Sequence, residues 1–216
     1  MPVSIRVTKI HPACLTIDDG RTRLLLDPGQ LGPRPGLDGV NAVLITHRHS
    51  DHLDPDLVEE ALRRGIPVWA PGDALDELGG LDARGEDGLH EAVTGTTLRI
   101  GTLPVQVAGN RHAEVHPTLL GPANRAYLID GRVLVTGDEH PDRLTALVTP
   151  VDAPWLRAAD LIRYVRALRP KLVVGIHDGL LNADGLAVAR HVIESLRNEG
   201  TARATILADG EAIIAP

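Results

Sequence analysis

The stretch Thr46-His47-Arg48-His49-Ser50-Asp51-His52 carries four potential metal donors, His47, His49, Asp51 and His52, within six residues. It directly follows residues 42–45, a short apolar run that suits a strand covered on both faces. A loop leaving such a strand can turn successive side chains toward two different ions, which a straight helix or strand does poorly. Neutral imidazole and carboxylate together suit zinc, manganese or iron(II). A lone histidine here would read as part of a solvated turn. Four donors at this spacing, in a chain with ten histidines, point to metal binding instead.

Three more candidates stand where predicted strands end. His112 follows residues 105–107, Asp138 follows residues 133–135 within Thr136-Gly137-Asp138, and His177 follows residues 172–176. Strand ends are where sites collect in α/β folds. His116, four residues after His112, is a competing donor. Pro117 biases His116 toward an extended conformation, and His112 is the first histidine after the strand, so His112 is the preferred candidate. The choice between the two stays open at this level.

HxHxDH, a later His, then Gly-Asp, then His resembles the signature of the metallo-β-lactamase superfamily, and the resemblance covers nearly the whole chain. Leu26-Asp27-Pro28-Gly29 before the first motif is similar to a strand end seen there. Within the superfamily the chain looks closest to small proteins such as the L-ascorbate-6-phosphate lactonase group. The resemblance implies a four-layer αββα sandwich in the α/β class and two divalent metal ions, with Zn2+ the first choice and Mn2+ or Fe2+ the alternatives. It implies that His47, His49 and His112 hold one ion, that Asp51, His52 and His177 hold the other, and that Asp138 bridges them. The implied reaction is hydrolysis of a small ester, lactone or phosphoester by a metal-bound hydroxide, with Asp51 or Asp138 moving the proton. A lactonase acting on acyl-homoserine lactones stays within this pattern. The alternative class is a non-hydrolytic dinuclear metal protein on the same fold, an oxidoreductase or binding module. A flavodiiron-type oxidoreductase would need further carboxylate ligands and a flavin domain that the sequence does not display. The signature is specific for fold and metal site and poor evidence for substrate.

Other residues are assigned supporting roles. Asp27 could orient a ligand imidazole, because metal-bound histidine usually donates its other N–H; otherwise it is a turn residue before Pro28. His116 and His140 are candidates for contact with substrate or ligands, and Glu139 could add an acid group. Arg48, Arg111 and Arg125 lie near the candidate ligands, and any of them could receive an anionic group. His11 reads as a supporting or structural residue, His90 and His191 as surface residues, and Cys14 as a small core residue.

The elements that must position these groups can be read from periodicity. Residues 3–8 alternate as a strand. Residues 14–17 and 23–26 flank Asp18-Asp19-Gly20, and residues 127–129 and 133–135 flank Asp130-Gly131, both hairpin signals. Asp54-Pro55 reads as an N-cap with proline at the first helical position, ahead of an apolar face at Leu57, Val58, Ala61 and Leu62. Residues 66–70 and 97–100 read as strands, and residues 72–88 as a loop with room for one helical turn. Leu161, Ile162, Val165 and Leu168 line a helix closed by Pro170, and Leu186, Ala189, Val192, Ile193 and Leu196 line another. Residues 205–207 and 212–214 are expected to form a last hairpin around Asp209-Gly210.

The chain has 216 residues, enough for one good core, and a single domain over residues 1–216 is the expectation. The hydrophobic share of 43% excludes disorder as the default. A net charge of −7 and the lack of a basic run disfavour nucleic acid, leaving a small-molecule substrate. The single cysteine, Cys14, permits neither an internal disulfide nor a cysteine zinc site. No leader-like segment opens the chain, and no apolar run approaches the roughly 18 residues of a membrane span, so no membrane association and a cytoplasmic setting are expected. Association into a homo-oligomer is left open.

Overall fold

The computed structural model describes residues 4–79, 88–141 and 146–216. Among these residues, two seven-stranded sheets face each other. The first holds β1 (Ile5–Lys9), β2 (Leu15–Asp18), β3 (Arg23–Leu26), β4 (Ala42–Leu44), β5 (Val68–Ala70), β6 (Leu89–Glu91) and β14 (Ala212–Ala215). The second holds β7 (Thr97–Ile100), β8 (Leu103–Ala108), β9 (Ala126–Ile129), β10 (Val133–Val135), β11 (Ala146–Pro150), β12 (Leu172–Ile176) and β13 (Arg203–Ile206). The orders are β14-β1-β2-β3-β4-β5-β6 and β13-β12-β11-β10-β9-β8-β7. Each sheet is antiparallel on one side and parallel on the other, the change falling at β3 in the first and at β10 in the second.

The period-2 alternation of side chains makes three cores from these strands. Leu24, Leu26, Val133, Val135, Val174 and Ile176 enter the central core between the sheets. Leu25, Val43 and Val68 face the other way, packing on Leu57, Val58 and Ala61 of α1 (Pro55–Arg63) and Ala74 of α2 (Gly72–Glu77). Leu134, Leu147 and Val173 pack on Leu161, Val165 and Ile193 of α3 (Ala158–Leu168) and α4 (Ala183–Ser195). Each fully buried aliphatic side chain contributes about 1.5–3 kcal/mol. The layers are therefore αββα. β10, β11 and β12 are buried at every position because a layer covers each face.

Local signals explain several boundaries. Asp54 caps α1, its side chain accepting from Asp56 N at 3.1 Å. Asp130 and Gly131 both take positive φ, 52° and 63°, as a tight hairpin turn between β9 and β10 requires. Other expectations need correction. The last hairpin does not form: β13 pairs in parallel with β12, while β14 crosses to pair with β1 in the other sheet. The turn at Asp209-Gly210 is real, closed by Glu211 N donating to Ala208 O at 2.9 Å, but it is anchored to Lys9 rather than heading a ladder. The helical turn allowed within residues 72–88 is α2 at residues 72–77; residues 80–87 lie outside the described residues, as does the start of the first strand at Val3. β6 and β11 carry no expectation from the sequence.

Candidate metal centre

The candidate donors meet at one end of the sandwich, on loops leaving β4, β8, β10 and β12. Three overlapping groups bring one ligand atom per residue to within 4.8 Å of one another: His47, His49 and His112; His47, His52 and Asp138; Asp51, His52 and His177. The direct approaches agree. His112 Nε2 lies 3.3 Å from Asp138 Oδ2, His177 Nε2 lies 2.9 Å from Asp51 Oδ2, and His52 Nε2 lies 3.6 Å from Asp51 Oδ2 and 3.7 Å from Asp138 Oδ1. His116 stays outside; its Nδ1 accepts from Thr118 N at 3.2 Å on the wall of the adjoining cavity.

Backbone and hydrogen bonds aim these groups. Asp27, just past β3, takes φ 49°, and His177, just past β12, takes φ 66°, in the left-handed region that few non-glycine residues adopt. Asp27 is buried and accepts three bonds: Thr46 N donates to Oδ1 at 2.7 Å, Thr46 Oγ1 to Oδ2 at 2.8 Å, and His52 Nδ1 to Oδ2 at 2.9 Å. Thr46 Oγ1, having donated to Asp27, can accept from His47 Nδ1 at 3.1 Å. His112 Nδ1 donates to Ala113 O at 2.7 Å. Each of these three rings thus presents Nε2 to the cluster. Asp27 is both turn residue and orienting acceptor. Gly29 is needed beside it, because a Cβ there would stand 1.9 Å from Asp51 O.

Fit to a metal rests on buried polar atoms left over by this network. His47 Nε2, His52 Nε2 and Asp138 Oδ1 have no hydrogen-bond partner, and all three belong to one group of converging donors. Leaving three such atoms unpaired in a folded interior is costly. Divalent cations would remove that cost, and the imidazole and carboxylate donor set suits them.

The electrostatics follow from burial and mutual proximity. Burial pushes His47 well below 6.5, and the neighbouring His52 adds to this. Burial would lower His52 as well, but the Asp27 carboxylate outweighs it and raises His52 to about 9. Burial would raise Asp51 and Asp138, yet the imidazoles around them dominate. Asp51 falls to about 2 through His177 and His52, and Asp138 falls well below 3.8 through His112, His52 and His47. Both carboxylates are therefore anionic at neutral pH.

Several supporting residues went unread in the sequence. Trp155 Nε1 donates to Asp138 Oδ2 at 3.0 Å. Asn124 Oδ1 accepts from Asp138 N at 3.1 Å and its Nδ2 donates to Thr136 O at 2.9 Å, fixing the Gly-Asp turn. Tyr127 OH donates to Ile45 O at 2.7 Å beneath the histidine loop. Lys9 Nζ, buried, pairs with Asp178 Oδ1 at 2.6 Å immediately after His177. The signal available was scarcity: Trp155, Tyr127 and Tyr164 are three of only four aromatic residues in the chain. Tyr164 stacks on His140 at 4.3 Å, and His140 meets Trp155 edge-on at 5.2 Å. His140 therefore supports the site from behind, and burial lowers it to about 4.

The remaining candidates take structural roles. Glu139 Oε2 accepts from Asn110 N and Arg111 N, both at 3.0 Å, clasping the loop that carries His112. Arg125 is a brace between loops: its guanidinium donates to Ala92 O, Asn110 O and Asn124 O. Arg111 NH1 donates to Gly121 O at 2.7 Å, and Arg48 pairs with Asp73 and Glu77. His11 is buried, and neighbouring Pro12 O accepts from His177 N at 2.6 Å.

Two facing sheets between helices, with histidines and aspartates converging at the strand ends, define the class of metallo-β-lactamase-type metal centres. The profile of the beta-lactamase superfamily domain matches residues 6–177, and the chain belongs to that superfamily. It is 29% identical over 197 residues to Protein Rv0786c of Mycobacterium tuberculosis, covering 85% of this chain and 89% of the relative. It is 28% identical over 143 residues to a UPF0173 metal-dependent hydrolase of Rhizobium leguminosarum, covering 62% of this chain and 59% of that protein. Its fold is similar to the metallo-beta-lactamase fold protein YhfI from Bacillus subtilis, with a TM-score of 0.71, 16% identity and coverage of 98% and 99%.

Proposed function

We propose that the chain is a metal-dependent hydrolase acting on a small molecule, and that its donors hold two divalent ions, zinc first. His47, His49 and His112 would take one, Asp51, His52 and His177 the other, with Asp138 between them. The observation that carries this reading is the convergence of His47 Nε2, His52 Nε2 and Asp138 Oδ1, buried and without partners, among four further donors. The name of the Rhizobium relative supports the hydrolytic assignment. We read the chain as a single domain, because Asp51 and His52 come from the first sheet and His112, Asp138 and His177 from the second.

When bound, such ions supply Lewis-acid polarisation of the scissile group and make a nucleophile from water near neutral pH. The protein's own part is placement and proton handling. Asp51, with its side chain 25% exposed, borders an open cavity of about 500 Å³. Asp138 is 3% exposed and held by Trp155. Asp51 is therefore the better placed of the two to carry a proton to the leaving group. His116 stands on the cavity wall, where it can hydrogen-bond a substrate. The test is a screen of esters, lactones and phosphodiesters with metal-loaded protein, alongside Asp51→Asn and His177→Ala. Both variants should keep the wild-type circular dichroism and lose turnover; full activity in either would overturn the assignment.

A further inference from the structure

The cavity beside the donors has a second lining that its chemistry does not require. Leu31, Val115, Leu119, Leu120 and Leu180 stand around it, and they are five of the eight exposed large apolar side chains among the described residues. Leu119, Leu120 and Leu180 are 68%, 85% and 72% exposed. Exposing leucine this fully has no packing benefit, and a contiguous group of such residues marks a binding surface. The same cavity is lined by His49, Asp51, His112, Asp138 and His177, so a molecule held at the donors lies against these side chains.

Three of the five belong to the loop that His112 begins. That loop is fastened at its base, where His112 N donates to Pro122 O at 3.0 Å and Arg111 NH1 donates to Gly121 O at 2.7 Å. Across its tip Leu119 N donates to His116 O at 3.2 Å. The apolar wall is thus held by the segment that carries a candidate ligand. Positive charge is sparse on the same walls. Arg48 is the lining arginine among the described residues, and Asp73 and Glu77 already pair with it. A phosphoryl group here would find no uncommitted arginine beside the donors.

We infer that the substrate is an ester or lactone bearing an alkyl chain or other apolar body, and that Leu119, Leu120 and Leu180 are specificity-determining residues that bind it. This rests on the hydrolase reading above. Full burial of one methylene is worth about fourfold in affinity. A wall open on one side should give roughly twofold per methylene.

The experiment measures binding and turnover separately. Acetohydroxamate and octanohydroxamate are titrated into zinc-loaded protein by calorimetry, and 1-octanol and ethanol into the metal-free protein. Hydrolysis is followed for p-nitrophenyl acetate through octanoate and for bis(p-nitrophenyl) phosphate. Octanohydroxamate should bind at least tenfold tighter than acetohydroxamate, octanol tighter than ethanol, and kcat/KM should climb with chain length. The double variant Leu119→Ser/Leu120→Ser should flatten all three trends. Equal affinities for short and long probes, or a preference for the phosphodiester, overturns the inference while leaving the hydrolase reading intact. Chain-length-dependent binding without turnover of any ester sustains the wall and overturns the hydrolase reading. A dimer that the double variant dissociates, with no dependence on chain length, assigns the wall to a second copy and also overturns the inference.

Discussion

Asp27→Asn isolates the residue that orients two of the candidate ligands. The substitution preserves size but replaces one carboxylate oxygen with an amide nitrogen. In the wild type all three of its bonds are accepted: Thr46 N at 2.7 Å, Thr46 Oγ1 at 2.8 Å and His52 Nδ1 at 2.9 Å. An asparagine can accept through one atom only. With its oxygen toward His52, its NH2 group faces the Thr46 N–H, and two buried donors oppose each other. With its oxygen toward Thr46 N, the His52 N–H is left unpaired. Either way one buried donor loses its partner, at a cost of about 1–3 kcal/mol in stability. The His52 ring also loses the charge that fixes its tautomer, and such partners of ligand histidines typically contribute tenfold to a hundredfold in metal affinity. Chemical denaturation of the metal-free variant measures the first effect, and competition against a chelator measures the second. Stability and zinc affinity both within twofold of wild type would refute the role assigned to Asp27.

Further predictions concern its surroundings. Lys9→Met leaves Asp178 as an unpaired, largely buried charge, so unfolding free energy should fall by about 3–5 kcal/mol in denaturant titration. Trp155→Phe removes the donor to Asp138 Oδ2 while keeping an aromatic ring beside His140; turnover should drop severalfold with metal content unchanged by elemental analysis. In the metal-free protein His52 is raised from 6.5 to about 9, so its contribution to stability is full below 6.5 and lost as pH rises toward 9. Asp51 is lowered from 3.8 to about 2, so its contribution is full above 3.8 and lost as pH falls toward 2. Tm measured across these two windows checks both, and Asp27→Asn should flatten the upper one.

Much of the site was legible because its donors cluster in sequence or follow predictable strands. The histidine loop stands behind the apolar run at β4, and Asp138 and His177 stand behind β10 and β12, so motif spacing, predicted strand ends and the family resemblance together picked them out. Supporting contacts left no such trace. Trp155 to Asp138, Lys9 to Asp178 and Glu139 to Asn110 each depend on a hydrogen bond or ion pair between segments apart in sequence, and no local pattern encodes it. Arg125 looked available to substrate because its neighbours in sequence are site residues, yet three backbone carbonyls in space take up its donors. The fold was readable to the level of layers and two hairpins. The last pair of strands misled because a turn signal tells where the chain bends, not which strand it joins next. β14 finds its partner in β1, at the opposite end of the chain.

The central claim is that these donors hold two ions, and the metal content of purified protein tests it most directly. Elemental analysis after reloading with zinc should give about two ions per chain for wild type, the number proposed for donor groups that overlap at His47 and His52. His112→Ala should lose one ion, and His116→Ala should keep both. A wild-type content that stays below one per chain, or loss of metal from the His116 variant alone, would contradict the account.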